Sequence, residues 1–108
     1  MKNLLFIGLV VMGFATSCVK GDKKNTKYLI EVSGTNIETV DYITRDHGPV
    51  SAPMVGQSAF SIEWKGYKSN DITVSVSSDG PATIKIYEKG KVVVEKSGVN
   101  YVDAHYEN

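Results

Sequence analysis

Two histidines, His47 and His105, and a lone cysteine, Cys18, are the residues whose types most readily carry chemistry in this 108-residue chain. Asp103-x-His105 sits in a stretch that alternates with period two, so both side chains can project from one side of a strand. Two such groups could begin a metal site if folding brought Asp46 or His47 beside them. No third ligand is identifiable, and the expectation is solvated side chains with no metal and no cofactor. The serines occur outside any G-x-S-x-G elbow that would expose a nucleophile. The carboxylates are scattered singly, so no acid/base pair is expected and the chain reads as a non-enzyme. Six tyrosines and one tryptophan offer a different chemistry, stacking and docking. Tyr67, just past a strand, and Tyr87 and Tyr101, out of phase with nearby aliphatics, are the candidate binding residues. They could stack on sugar rings or dock a protein. They could equally form cross-strand pairs on the outer face of a sheet. Trp64 follows Phe60 and Ile62 at period two and is expected in the core.

The elements that must position these residues are strands. Tyr28, Ile30 and Val32 alternate with polar neighbours, as do Val40 with Tyr42, Phe60 with Ile62 and Trp64, and Ile72 with Val74 and Val76. Ile84 and Ile86 continue the pattern, followed by Val92-Val93-Val94 and a last run over residues 99–106. Alternation of this kind marks strands with one packed and one wetted face. Gly34-Thr35-Asn36 and Ser78-Asp79-Gly80-Pro81 read as turns. Lys89-Gly90 fits a two-residue hairpin loop. Residues 45–57, with two prolines and two glycines, read as a long connection between sheets, with a short edge strand around Val50. The sum is an all-β fold: a small antiparallel immunoglobulin-like β-sandwich of about seven strands, with a small barrel as the alternative. Twelve basic against twelve acidic side chains leave no net charge, which argues against nucleic acid as a partner.

The first residues read as an address. A charged start at Lys2 leads into an uncharged apolar run over residues 4–15, too short for a spanning helix, which needs roughly 20 apolar residues. It suits the apolar region of a secretory signal. Ala15-Thr16-Ser17-Cys18 then resembles the lipobox of bacterial lipoproteins, in which the cysteine is acylated and becomes the first residue of the mature chain. That resemblance implies a signal peptide over residues 1–17 and a membrane anchor on Cys18. Several acyl chains, at about 0.8 kcal/mol per buried methylene, would hold the protein on a membrane without a spanning helix. Residues 18–27, rich in lysine, read as a flexible tether, and residues 28–108 as the folded domain.

Within that domain, Tyr28-x-Ile30-x-Val32-Ser33-Gly34, then Val40-x-Tyr42, then a strand ending in Trp64 resemble the opening of the MmpS-type proteins. Thr83-Ile84-Lys85-Ile86-Tyr87-Glu88-Lys89-Gly90-Lys91-Val92-Val93 is similar to that family's strand–turn–strand, with Lys89 where the family usually has Asp. The resemblance covers residues 28–106. It implies a membrane-anchored β-sandwich that assists a lipid exporter, with no catalytic residues to carry over. The expected protein is therefore a non-enzymatic lipoprotein of a bacterial cell envelope, on the outer membrane of a diderm bacterium. It would act as a protein-binding or transport-accessory module, with an envelope transporter as a partner. A carbohydrate- or lipid-binding module using Tyr67, Tyr87 and Tyr101 is the alternative.

Overall fold

The apolar phase of the chain is the same before and after the sites where turns were expected. Tyr28, Ile30, Val32, Val40 and Tyr42 are all even-numbered and all buried, so one face points inward on both sides of Gly34-Thr35-Asn36. The same holds for Ile72, Val74 and Val76 before Ser78-Asp79-Gly80-Pro81, and for Ala82, Ile84 and Ile86 after it. A computed structural model, which describes residues 24–108, shows the consequence. Four long strands run through these sites: β1 (Lys24–Thr44), β2 (Gly48–Tyr67), β3 (Asp71–Glu88) and β4 (Lys91–Glu107). They form one antiparallel sheet in the order β2-β1-β3-β4. The signal segment and Cys18 lie outside the described residues. No helix long and apolar enough to span a membrane occurs among those described.

The all-β, antiparallel reading holds, while the immunoglobulin-like seven-strand arrangement does not appear: the sheet has four strands. The short runs read as separate strands are the two halves of long ones. Within the described residues the chain reverses at 45–47, 68–70 and 89–90. The long connection expected over residues 45–57 is thus a three-residue turn followed by the first half of β2. Lys89-Gly90 is the two-residue hairpin expected, with positive φ at both residues (54° and 81°), as a type I′ turn requires. β1 begins at Lys24, inside the stretch read as tether, because Lys24, Thr26 and Lys27 already pair with Tyr67, Gly66 and Lys65.

What the turn-like residues do is crease the sheet. Left-handed backbone occurs at Asn36 in β1, Val55 and Gly56 in β2, Gly80 in β3 and Asn100 in β4. The pairing register slips at the same level, around Ile37↔Gln57, Ile37↔Ser78 and between Ser77 and Pro81. Bulges bend a strand and sharpen its twist, and here they align across all four. Gly34 permits the close approach this needs: a Cβ there would lie 2.7 Å from the Pro81 carbonyl oxygen. Asn100 Oδ1 accepts the Gly80 N–H (3.1 Å), tying β4 to β3 at the crease.

The crease folds the two halves of the sheet toward each other. Tyr42 pairs with Val50, and Phe60 with Val32, yet the Tyr42 and Phe60 rings stand 5.9 Å apart. His47, in the turn before β2, touches Trp64 near the other end of β2, with 4.9 Å between rings. In a straight strand those two ends would be about 55 Å apart. The core fills the fold, with Tyr28, Ile30, Val32, Ile37, Val40, Ile72, Val74, Val76, Ile84 and Ile86 fully buried. Burying each aliphatic side chain of this size contributes about 1.5–3 kcal/mol.

Candidate functional site

Where the folded ends meet, polar groups gather around Asp46. The three-residue turn starts from Thr44, whose Oγ1 accepts the His47 N–H (2.9 Å) and also bonds His47 Nδ1 (2.9 Å). This local bonding is typical of threonine at a turn and projects Asp46 toward the far end of β2. There Asp46 Oδ2 accepts hydrogen bonds from Trp64 Nε1 (2.9 Å) and Asn70 Nδ2 (2.7 Å), and Oδ1 accepts the Tyr67 N–H (3.3 Å). Burial alone would raise the Asp46 pKa, but the bonds from Trp64, Asn70 and Tyr67 outweigh it and hold the carboxyl below the usual carboxylate range. Gly66 makes the room: a Cβ on it would stand 2.0 Å from Asp46 Oδ2.

Aromatic rings pack around that carboxylate. Trp64 stacks on Tyr28 at 5.4 Å, and His47 meets Trp64 edge-on. The Tyr28 hydroxyl donates to the Tyr67 and Lys68 carbonyls (2.7 and 3.0 Å). The Arg45 guanidinium lies 4.1 Å over the Tyr67 ring, with Nη1 donating to the Ser69 carbonyl (3.0 Å). Buried Asn70 accepts the Arg45 N–H on Oδ1 and donates its own N–H to Asn108 Oδ1. Two turns and the chain's last residue are thereby fastened together. A charged carboxylate committed to three donors is suited to hold this end shut; a base would need a lone pair aimed at a substrate.

The three candidate tyrosines lie on separate stretches. Tyr67 belongs to the fastened end, half-buried under Arg45, with Lys24 Nζ 5.1 Å from its ring centre. Tyr87 is half-buried and donates to Glu31 Oε1 (2.9 Å), a bond that raises its pKa. Tyr101 is 56 % exposed, on the far side of the crease from Tyr87, with its hydroxyl bonded to Ser75 Oγ. Tyr87 is therefore less exposed than its phase suggested, because a diagonal cross-strand partner draws it down. Trp64 packs against the core as expected, although it keeps some exposure at the β2 edge.

Asp103 and His105 project from the outer face of β4. His105 Nε2 bonds Asp71, the partner of Glu107, which lies two residues farther along β4. Lys96, a cation, lines the same depression as Asp103 and His105. Among the described residues no group of three or more His, Cys, Asp or Glu is placed to hold a metal ion.

The most exposed apolar stretch is one that periodicity obscured. Among the described residues β4 pairs with β3 alone, at the end of the strand order. In its first half, Val92 is 48 % and Val93 36 % exposed, and Val94 is only half-buried. The register slips here, Tyr87↔Val92 being followed by Ile86↔Val94, so one residue of the valine run is extra. Val99 (66 %) and Tyr101 are further exposed side chains on β4, separated from the valine run by exposed Glu95, Lys96 and Ser97. A run of three valines normally marks a strand covered on both faces, yet of these three only Val94 packs against the core. The signal in the sequence was the break in alternation at Val92-Val93-Val94.

No family model, curated protein or solved structure matches the chain.

Proposed function

We propose that this chain is a non-enzymatic lipoprotein of the bacterial cell envelope, anchored through Cys18, that works by binding another protein along the β4 edge. The observation that carries the reading is the set of exposed valines, Val92, Val93 and Val99, along a strand that has one neighbour among the described residues. An open edge with apolar side chains is the surface to which an extended partner segment adds. The lipobox-like Ala15-Thr16-Ser17-Cys18 supplies the membrane side of the proposal. The likeness of residues 28–106 to MmpS-type proteins favours an exporter as the partner, in a transport-accessory role.

Site-specific photocrosslinking in cells tests the docking edge. A benzophenone amino acid at Val92 or Val99 should give adducts with an envelope protein, whereas the same probe at Asp41, on the outer face of β1, should not. Equal yields at all three positions, or none, would overturn the proposal. Cys18→Ala should end fatty-acid incorporation and release the protein from membranes; unchanged fractionation would remove the anchor.

A further inference from the structure

The second half of β4 has a property that its first half lacks. Residues 101–107 pair with β3 in unbroken register, from Ser77↔Tyr101 to Asp71↔Glu107. This stretch contains no proline, lysine or bulge, features that commonly protect a sheet edge from pairing. Tyr101, Asp103, His105 and Glu107 point outward and are exposed, while Val102 and Ala104 point into the core.

Antiparallel strands place residues of the same face opposite one another. If residues 101–107 met the same stretch of a second copy about a two-fold axis at Ala104, every opposed pair would be compatible. Asp103 would stand opposite His105, and His105 opposite Asp103. Tyr101 would face Glu107, Val102 would face Tyr106, and Ala104 would face itself. His105 already directs Nε2 toward Asp71, which leaves the Nδ1 side of the ring for the incoming carboxylate. Shifting the axis to Asp103 or to His105 would set Asp103 against itself or against Glu107, with like charges opposed.

The β2 edge offers no equivalent. Its first half carries Pro49 and Pro53 and ends at the left-handed Val55. In its second half, an axis at Trp64 would pair Glu63 with Lys65. Glu63 is already held by Lys27 at 3.1 Å, and Ile62 would face Gly66, which lies against Asp46.

We infer that this protein forms a two-fold dimer by joining residues 101–107 of β4 to the same residues of a second copy, making one continuous sheet across both copies. The inference goes beyond the proposed partner edge: it uses the other half of the strand and leaves Val92, Val93 and Val99 uncovered in both copies. Isologous pairing is the usual route to a closed homodimer.

Sedimentation of the full-length protein extracted in mild detergent, read at increasing dilution, tests it. The wild-type chain should sediment as a dimer. Asp103→Lys sets a lysine against His105, and His105→Asp sets an aspartate against Asp103, so each variant alone should raise the dimer dissociation constant about tenfold or more. Mixing the two variants restores both cross pairs. The introduced lysine of one copy then meets the introduced aspartate of the other, while the retained His105 meets the retained Asp103, and the dimer should return. Tyr101→Glu, at an exposed position, should weaken the dimer independently by opposing Glu107. A wild-type monomer, variants that dimerise normally while circular dichroism shows them folded, or a mixture that stays monomeric would each overturn the inference.

Discussion

The two edges of this sheet are treated in opposite ways. Among the described residues β2 and β4 each pair on one side only, β2 with β1 and β4 with β3. β2 carries Pro49 and Pro53, which cannot donate to a neighbouring strand, and a left-handed Val55-Gly56 pair that bends its backbone. Its far end is pinned under the Asp46 cluster through Trp64. β4 has no proline and exposes Val92, Val93, Val99 and Tyr101. Its far end is tied through Asn108, just beyond it, which bonds both Asn70 and Glu88, and through Tyr106, which bonds Glu88. A guarded edge beside an open one is what a sheet needs if it is to bind on one side and avoid stacking into fibres on the other.

The contrast can be broken most severely at Gly66. Gly66→Ala would drive a methyl group into the space of Asp46 Oδ2 and expel the carboxylate, leaving Trp64 Nε1, Asn70 Nδ2 and the Tyr67 N–H without their acceptor. We expect a loss of about 3 kcal/mol in urea unfolding, with β2 no longer pinned. Asp46→Asn is milder, roughly 1–2 kcal/mol at neutral pH after allowing for partial exposure. Its pH dependence is diagnostic. Asp46 is held below its ordinary value of 3.8 in the folded protein, so its contribution is present above that pH and is lost as pH falls further. The gap between wild type and Asp46→Asn should therefore shrink in acid; a gap that widens would show that the carboxylate is not the fastening.

Relieving the guard itself should be stabilising. A β-branched residue in left-handed backbone costs about 1–2 kcal/mol, and Val55 has φ 48° while 88 % exposed. Val55→Gly should recover about 1 kcal/mol, partly offset by the greater freedom of glycine in the unfolded chain. Thermal unfolding would report it as a rise of a few degrees. On the β4 side, the Tyr106 hydroxyl donates to Glu88, and that bond, with burial, pushes its pKa up to about 12. A raised pKa means stability that is intact below 10.0, the ordinary tyrosine value, and lost as pH climbs toward 12. Tyr106→Phe should be slightly less stable at neutral pH and lose less than wild type across that alkaline window. The smallest effect is expected at Tyr101: Tyr101→Ala should alter monomer stability by no more than about 0.5 kcal/mol. A larger loss would mean that the open edge is already part of the monomer's own packing.

Much of the fold could be read from the residues. Alternation over Tyr28-x-Ile30-x-Val32 and Ile72-x-Val74-x-Val76 identified the strands and their inward faces, because side-chain direction in a strand follows local parity. The Lys89-Gly90 hairpin was legible because glycine and short spacing suffice to define it. The strand count was not. Gly34-Thr35-Asn36 and Ser78-Asp79-Gly80-Pro81 contain what a reversal contains, and a bulge in a continuous strand uses the same residues. Residues 45–57 misled for a related reason: two prolines suggest a loop, yet an edge strand accepts prolines whose missing N–H would have faced water. Of the candidate tyrosines, Tyr101, out of phase with the nearby aliphatics, is exposed. Asp46 drew notice only as a possible companion of a metal pair, since its three donors come from residues 18 to 24 positions away.

What the sequence determined by itself is local: the strand character, the inward parity, the type I′ turn and the apolar run that ends in a cysteine. Each depends on the conformational preferences and polarity of neighbouring residues. Tertiary structure alone decided that left-handed sites on all four strands would align into one crease and that Asp46 would reach Trp64. It also decided that β4, with three valines in a row, would be left with a single neighbour. Those outcomes depend on which distant backbone groups pair, and the pairing is settled by the burial and hydrogen bonding of the whole sheet.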